Sequence, residues 1–392
     1  MVVSFEKGVR VIAAPAPTPG EITVMLYVCG GSAQETTDHT GASKVLAAVW
    51  GQESARLAEQ GGSQLACFAN PDFVYASSVW PKAKLEEALD FVTTWFIVVD
   101  GGNFEAARKT IISERTAATE RWAKMSNVLL DAAYQQHPYR RPVFGPESAV
   151  ENLSLEGFLN HAGKALAPSN LILVVVGDVD PARVQALAQV RLSEFKGGPK
   201  RLGLEAVEPR QTEERIARVS GHDRPMFLIS FHKGPGASED IETWGVIGNV
   251  LQKRITARLA DRSAGIRRVS CMEGPAMRDP NLLIIYGSFK PEIDVEQARA
   301  DTLAEVKRLA ETGITETELR VAQEELAPAE PKPEAAIEIA RDLADWLMMN
   351  GDWRHHFRYR ANTRAVTVTK VNALARETFR LENTTNVIAT ME

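Results

Sequence analysis

The chain is poor in cysteine, with only Cys29, Cys67 and Cys271 among its 392 residues. The number is odd and no Cys-x-x-Cys pair occurs, which argues against a disulfide framework and against a cysteine-rich zinc site. Free cysteine behaves as a small apolar residue in protein interiors. We therefore expect all three cysteines to lie in strands as apolar residues.

The chain also lacks a strong excess of charge and any long apolar run. Its formal net charge is −6 at pH 7, spread along the sequence, and 44% of its residues are hydrophobic. Nucleic acids and anionic membranes attract concentrated basic surfaces, and a membrane-spanning helix needs about 18 or more consecutive apolar residues. We therefore expect no membrane insertion and no nucleic-acid partner, and the composition is that of an ordinary globular protein.

Several short motifs that assign a location or a reaction are absent. Met1 leads almost at once into the charged segment FEKGVR, which is unlike a signal peptide. We expect a cytoplasmic location, with the periplasm as the alternative if a leader has been removed from the sequence. There is no Gly-x-Ser-x-Gly and no Walker motif, and no two of the scattered histidines have metal-ligand spacing.

The chain does contain an order of strand and helix patterns that occurs twice. Strands are predicted at 22–29 in the first half and at 225–232 in the second, and each is followed by glycines and an amphipathic helix. Gly41 aligns with Gly245 at an offset of about 204 residues, as expected of an internal repeat. The repeat predicts two similar α+β halves.

A polar segment separates the two halves. Residues 193–214 read SEFKGGPKRLGLEAVEPRQTEE, which contains Gly, Pro and many charges and has no helix or strand period. We therefore predict a first domain at 1–193, a linker at 194–214 and a second domain at 215–392.

A series of stretches, taken in order, resembles the pitrilysin/insulinase family of zinc metallopeptidases, especially its short two-domain bacterial and mitochondrial-processing-type subunits. The stretches are FEKGVRVIAAPAP, VCGGSAQETTDHTGASKVLAAVW, GGSQLACFANPDFVYA, HPYRRPVFGPESAVENLSLEGF with APSNLILVVVGDVDP, GITETELRVAQEEL and VTVTKVNALARETF. The resemblance covers nearly the whole chain. It implies two similar α+β domains, each a mostly antiparallel sheet packed against helices and joined by a linker. It also implies a second subunit of similar size that closes with this chain around a peptide.

The helix pattern at Thr40–Trp50 occupies the place where the family carries its inverted zinc motif, His-x-x-Glu-His. Lys44 and Ala48 stand at the two His places, Ala47 stands at the Glu place, and Glu114 corresponds to the family's third ligand. An ammonium and two methyl groups cannot bind a divalent cation or activate water. We therefore predict no metal, no other cofactor and no catalysis by this chain alone. We expect Glu114 to be a helix carboxylate in an ion pair, with Lys44 as one candidate partner.

A hairpin predicted at 63–79 corresponds to the family's substrate-binding edge. Leu65 stands where the family has the Asn that helps to hold the substrate backbone, whereas Ala66 fits the family pattern. Because an edge strand binds an extended peptide through backbone groups, Leu65, Ala66 and Cys67 are candidate substrate-binding residues. The alternative is an ordinary sheet edge or a core strand.

The segment LADRSAGIRRVS in the second half resembles one through which a family heterodimer supplies an Arg and a Tyr to its partner's zinc site. Arg268 stands at the Tyr place, and Arg262 lies one residue from the Arg place. Arg262 and Arg268 are therefore candidate contributors to a partner's site. A solvated basic turn is the alternative.

These observations lead to a hypothesis of function. The chain is expected to be a non-catalytic subunit of a heterodimeric zinc metallopeptidase, closing the peptide chamber with a zinc-bearing relative that performs the hydrolysis. Two alternatives remain. One is a scaffold subunit of a larger complex, like the core subunits of respiratory complexes that resemble the same family. The other is a homodimeric peptide-binding protein.

Overall fold

The computed structural model describes residues 2–6, 8–99, 101–118, 122–145, 148–193, 204, 206–236, 238–260, 265–274, 278–329 and 334–391. Of residues 2–6, 115–118 and 122–123 it describes the backbone alone. The chain forms two compact units, and neither is continuous in sequence. The first comprises Met1–Ala117, Arg141–Glu205 and Pro333–Arg354, and the second comprises Ala118–Arg140, Ala206–Lys332 and His355–Glu392.

Eleven strands are present in the described residues. They are β1 (Val2–Glu6), β2 (Val9–Pro15), β3 (Glu21–Val28), β4 (Ser63–Ala69), β5 (Val74–Pro81), β6 (Leu171–Gly177), β7 (Arg215–Val219), β8 (Met226–Pro235), β9 (Ile266–Glu273), β10 (Pro280–Phe289) and β11 (Thr384–Ala389).

Fourteen α-helices accompany these strands in the described part of the chain. They are α1 (Ala42–Gly51), α2 (Ser54–Gln60), α3 (Leu85–Phe91), α4 (Phe104–Ala118), α5 (Trp122–Ala133), α6 (Ala149–Asn152), α7 (Leu155–Ala165), α8 (Pro181–Arg191), α9 (Ile241–Arg258), α10 (Val295–Thr312), α11 (Glu316–Leu326), α12 (Ala336–Asn350), α13 (His355–Ala365) and α14 (Val368–Thr378).

The two units contain sheets of the same topology. The first sheet has the order β1-β2-β6-β3-β5-β4, and the second has the order β7-β11-β8-β10-β9. The β2–β6 pair of the first sheet and the β7–β11 pair of the second are parallel, and the other described pairs are antiparallel. Apart from the additional β1, the strands therefore correspond one to one. The predicted fold class, two similar domains with mostly antiparallel sheets, is confirmed.

In the first unit, both faces of the sheet are covered by helices. Alternate residues of β3, from Ile22 to Val28, join the core formed with α1, α3 and α7. Tyr27 points to the opposite face, because successive side chains of a strand alternate between faces. There β3 and β6 pack against α12, a helix from late in the sequence. Burial on both faces explains why β6, LILVVVG, is apolar throughout.

The second unit is built in the same way. Phe227, Ile229 and Phe231 of β8 form a core with α9, α10 and α14 on one face of the sheet. On the other face, α5 packs against β11, β7 and β8. Each unit thus takes one helix from the other half of the sequence: the first contains α12 and the second contains α5.

The predicted elements and the observed ones differ in a few places. The apolar spacing predicts one helix from Thr40 to Glu59, whereas the structure has two, α1 and α2. The sequence patterns predict no strand at β7 or β9 and no helix at α6 or α13. Cys67 and Cys271 lie in strands, as expected, whereas Cys29 follows the end of β3, and all three are free thiols.

The predicted linker lies largely outside the described residues. This applies to 194–203 and 205, whereas 204 and 206–214 contain no helix or strand. The domain boundaries at 193 and 215 stay a prediction. The compact units differ from a simple division at these boundaries, because α5 belongs to the second unit and α12 to the first. Within the described residues, the helices are all too short or too polar to cross a bilayer.

Candidate site around the first helix

The N-terminus of α1 is held by a buried carboxylate. Gly41 precedes α1 with a φ of 90°, a conformation that favours glycine. Its N–H donates to Glu35 Oε2 at 2.7 Å, and the Ser43 N–H donates to Glu35 Oε1 at 2.8 Å. Burial raises the pKa of Glu35 to about 7, although these hydrogen bonds act in the opposite direction. Glu35 thus satisfies two N–H groups that the first turn leaves without helical partners.

A buried serine–histidine contact lies beside this cap. Ser43 Oγ is 3.1 Å from His161 Nε2, and both side chains are buried. Burial lowers the pKa of His161 to about 4, and the nearby His39 and Lys164 add to this effect. His161 is therefore neutral at pH 7 and ties α7 to the start of α1.

The three motif positions lie on one side of α1. Lys44, Ala47 and Ala48 are spaced i, i+3 and i+4, so their side chains are neighbours. Ala47 is buried, whereas Lys44 and Ala48 are half-buried. The positions that the family resemblance assigns to zinc ligands and base therefore present an ammonium and two methyl groups on one side of α1, and their correspondence to the family's motif stays a prediction.

Aromatic rings surround the Lys44 ammonium. Its Nζ lies 4.6 Å from the centroid of the Phe144 ring and 5.7 Å from that of Phe68. Burial lowers the pKa of Lys44, and the charge of Glu114 raises it. Lys44 and Glu114 form no direct ion pair among the described side chains, and Glu114 is exposed on α4. The candidate pair is therefore replaced by cation–π contacts, with Glu114 acting only at longer range.

The side chains at this place do not fit a divalent metal ion. Among the described residues, no cluster of three His, Cys, Asp or Glu side chains includes Glu114 or a residue of α1. Zinc in proteins takes nitrogen, sulfur or carboxylate ligands, and an ammonium repels it. No reaction step through a metal at α1 follows from this arrangement.

The hairpin next to α1 has an open edge. β4 is the last strand of its sheet, so one side has no partner strand in the described residues. Leu65 and Cys67 are half-buried and Ala66 is exposed, and burial raises the pKa of the Cys67 thiol to about 12. The pairing is irregular between Ser63 and Ala66. Free N–H and C=O groups on an edge strand can pair with an extended peptide.

The hairpin turn is fixed by an asparagine side chain. Asn70 Oδ1 accepts hydrogen bonds from the N–H groups of Asp72 and Phe73, both at 2.8 Å. Next to this turn, the rings of Phe68, Phe73 and Tyr75 are in mutual contact, with centroids 5.9–6.2 Å apart. The turn of the hairpin predicted at 63–79 thus falls at Asn70-Pro71-Asp72, whose residue types favour a turn, and the aromatic cluster packs beside the open edge.

A buried tyrosine–aspartate pair lies on the opposite face of the sheet. Tyr27 Oη donates to Asp345 Oδ1 of α12 at 2.7 Å, and both side chains are buried. Burial raises the pKa of Asp345 to about 7, and the charges of Asp342 and Asp72 raise it further. The Tyr27 hydrogen bond and the charge of Arg341 act in the opposite direction. This pair attaches α12 to the sheet.

Of the two arginines predicted to contribute to a partner's site, the structure describes only Arg268. Arg262 lies outside the described residues. Arg268 is exposed on β9, which is the edge strand of its sheet as β4 is of the first. An exposed arginine on an edge strand is accessible to a partner, and the contribution of either residue to a partner's site stays a prediction.

Sequence reasoning missed Glu35, His161, Tyr27 and Asp345. Glu35 lies six residues before Gly41, too far for the usual N-cap pattern. The Tyr27–Asp345 contact joins residues from opposite ends of the chain. The only signal for Asp345 is an acidic residue inside an otherwise apolar helical stripe of α12.

Two family models match consecutive parts of the chain. Insulinase (Peptidase family M16) matches residues 10–147, and Peptidase M16 inactive domain matches residues 152–326. A relative from Mycobacterium leprae, described as an uncharacterized zinc protease, is 24% identical over 94% of this chain and 87% of its own length.

Solved structures show the same fold. A protease from Helicobacter pylori has a TM-score of 0.88 at 20% identity, over 99% of both chains. A peptidase M16 inactive domain from Pseudomonas fluorescens has a TM-score of 0.87 at 17% identity, over 99% of this chain and 98% of its own. A chain of complex III from Candida albicans has a TM-score of 0.84 at 16% identity, over 100% of this chain and 96% of its own.

Proposed function

This chain belongs to peptidase family M16, the pitrilysin/insulinase family, as a short two-domain member, and we propose that it is the non-catalytic subunit of a heterodimeric zinc peptidase. In this proposal a zinc-bearing relative of similar size performs the hydrolysis. This chain closes the peptide chamber and holds part of the substrate.

The observation that carries the proposal is the packing of Lys44. The ammonium of this side chain, at the position predicted for the first ligand, lies within cation–π distance of the rings of Phe68 and Phe144. Its charge lies where a catalytic subunit would need a neutral imidazole, and Ala47 offers no group that could activate water. The rest of the helix is well built, with a buried cap at Glu35. A well-formed fold without catalytic groups suits a subunit that contributes shape and binding surface.

The open edge of β4 supports a role in holding peptide. Leu65, Ala66 and Cys67 lie on this edge, beside α1, and it has no partner strand in the described residues. Strand addition uses backbone groups, so it does not need the Asn that Leu65 replaces. Cytoplasmic location and zinc carried only by the partner are parts of this proposal.

A second candidate function is a scaffold role in a larger complex. The observation in its favour is the fold that this chain shares with a chain of complex III from Candida albicans. A homodimeric peptide-binding protein is the third candidate. Both dispense with a zinc-bearing partner, so the identity of the partner separates the three.

The test is co-expression with the family relative of the same organism that carries His-x-x-Glu-His. We expect a one-to-one complex on size-exclusion chromatography, with one zinc per complex and none in this chain purified alone. No complex with that relative would exclude the heterodimer. Self-association alone would then favour the homodimer, and co-purification with further subunits would favour the scaffold.

A further inference from the structure

The helix α13 of the second unit has an exposed face that is basic and aromatic. Phe357, Arg358, Ala361 and Arg364 are all exposed. Ala361 is three or four residues from each of the other three, so it lies at the centre of one helix face. Thr363, the buried residue of α13, lies on the opposite side. We call the four exposed residues the basic face of α13.

The segment that contains the basic face has no acidic residue. From Trp353 to Arg376 there is neither Asp nor Glu, and there are six cations. They are Arg354, Arg358, Arg360, Arg364, Lys370 and Arg376. Solvated helix faces usually mix charges of both signs. An excess of one sign here, in a chain of net charge −6, is therefore a local feature that needs a partner of opposite charge.

Two of these arginines are held by backbone carbonyl groups instead of carboxylates. Arg364 donates from Nε and Nη2 to the Ala327 carbonyl, at 3.2 and 2.9 Å. Arg360 donates from Nη2 to the carbonyls of Pro328 and Ala329. Neither guanidinium has an ion-pair partner among the described residues. The hydrogen bonds fix the position of both groups, but a neutral carbonyl does not balance their charge.

The carboxylate that contacts α13 lies on its inner side. Glu242 of α9 is 2.8 Å from His355 Nε2, and Asn362 donates to it at 2.9 Å. Both partners are half-buried, on the side of α13 that packs against α9. Glu242 is therefore engaged away from the basic face.

An exposed phenylalanine distinguishes the basic face from an ordinary solvated surface. Phe357 is 59% exposed, between two arginines of the same face. Protein interfaces are enriched in aromatic residues and Arg, and depleted in Lys, Glu and Asp, relative to the rest of the surface. The basic face consists of two Arg, one Phe and one Ala, so its composition is that of an interface.

We propose that the basic face of α13 docks an acidic segment of a partner protein. Carboxylates of that segment bind Arg358 and Arg364, because the guanidinium fork suits carboxylate oxygens. An apolar side chain between these carboxylates packs against Phe357 and the small Ala361. Charge complementarity thus selects the occupant.

The acidic segment is favoured over two other polyanions. A nucleic acid or an anionic membrane needs a wider basic surface than one helix face, and the net charge of −6 opposes both. The inference goes beyond the function proposed for α1, because it requires neither zinc nor a closed peptide chamber.

Fluorescence polarisation with the full chain tests the proposal. The probe is a labelled synthetic peptide of Glu-Glu-Leu repeated four times, and the same peptide with Gln for Glu is the uncharged control. We expect the Glu peptide to bind with a Kd of about 100 µM or tighter, at least about tenfold more tightly than the Gln peptide. Raising NaCl from about 50 mM to about 500 mM should weaken this binding by at least about tenfold.

A matched pair of variants locates the binding. Ala361→Glu places a carboxylate at the centre of the basic face and keeps its arginines, so affinity for the Glu peptide should fall by at least about tenfold. Ala304→Glu makes the same change at an exposed alanine of α10 in the same unit and should leave the affinity unchanged. Arg358→Gln and Phe357→Ala, each at an exposed side chain, should each weaken binding by at least about threefold. These two cover the case in which Ala361→Glu does not fold.

The proposal is overturned if the Glu peptide does not bind, if the Gln peptide binds equally well, or if Ala361→Glu and Ala304→Glu have the same effect. Tighter binding of a single-stranded oligonucleotide or of phosphatidylglycerol vesicles would overturn the acidic segment as the occupant. Self-association of the chain that Ala361→Glu abolishes would replace the partner protein by a second copy.

Discussion

The Lys44 ammonium lies 4.6 Å from the centre of the Phe144 ring, and Lys44 is the residue that the family resemblance predicts at the position of the first imidazole ligand. The ring attracts a cation by its quadrupole and shields it from water. A positive charge at this position repels a metal ion. The predicted lack of zinc ligands on α1 is therefore accompanied by an alternative set of contacts.

This arrangement makes a prediction for Lys44 substitutions. Lys44→Met keeps the contacts with both rings and removes the cost of burying charge, so the free energy of unfolding should stay within about 1 kcal/mol of the parent. Lys44→Glu places a negative charge against the ring faces and near Glu114, and should destabilise by about 1–3 kcal/mol. Urea denaturation measures both. Equal stability of the two variants would contradict the cation–π account.

Replacing the buried Asp345 carboxyl group by a neutral amide should stabilise the chain at high pH. The folded-state pKa of Asp345 is raised from 3.8 to about 7. The stability contributed by protonated Asp345 is complete below the pKa of the unfolded chain and is lost as the pH rises through the folded-state pKa. Asp345→Asn should therefore unfold less readily than the parent at pH 8, by roughly 1–4 kcal/mol, and much the same at low pH. Denaturation at several pH values measures this, and a gap that is the same at every pH would count against it.

Tyr27→Phe tests the hydrogen bond of the same pair. It removes the donor and leaves the buried Asp345 carboxylate without it, at a cost of about 1–3 kcal/mol in unfolding free energy. Combining Tyr27→Phe with Asp345→Leu should cost less than the sum of the two changes, because both partners are then gone. Thermal unfolding of the four chains forms the cycle. Strict additivity would show that the two side chains do not interact.

The cap of α1 makes a similar prediction at Glu35. Burial raises its pKa from 4.5 to about 7, so the proton is bound more tightly in the folded chain. Stability from this source is present at low pH and is lost as the pH rises through about 7. Glu35→Gln should remove this part of the pH dependence of unfolding, while Glu105→Gln, at an exposed glutamate of α4, should retain it. An unchanged pH profile for Glu35→Gln would refute the assignment.

The open edge of β4 is tested by a pair of proline substitutions. Adjacent residues of an edge strand direct their N–H groups to opposite sides, so Ala66→Pro and Cys67→Pro remove one outward and one inward N–H. We expect one variant to lose stability and the other to keep its melting temperature but bind a fluorescent peptide substrate more weakly in the heterodimer. If the stable variant binds peptide normally, strand addition at β4 is excluded.

The sequence patterns predicted most strands and helices because these elements have regular apolar spacing. They missed β7 and β9, in which arginines interrupt the alternation, as in Arg267-Arg268 of β9. They also missed α13, HHFRYRANTRA, which is polar around most of its circumference. Edge strands and surface helices bury little, so their sequences carry a weak pattern.

The placement of α5 and α12 could not be predicted from the sequence. An amphipathic stripe indicates that a helix packs on something, but it does not identify the sheet. Both helices pack in the unit formed mainly by the other half of the chain. The same limit hid Asp345, whose role depends on its hydrogen bond with the distant Tyr27. The prediction for Lys44, Ala47 and Ala48 could be made from the sequence because these positions lie close together in one helix.

The most direct test of the central claim is the rate of peptide cleavage by the zinc-bearing relative, measured with and without this chain. We predict that the heterodimer cleaves at least about tenfold faster than the relative alone, that replacing the relative's motif Glu by Gln abolishes cleavage, and that this chain alone neither holds zinc nor cleaves. Cleavage by this chain alone with tightly bound zinc, or a rate for the relative that this chain leaves unchanged, would contradict the account.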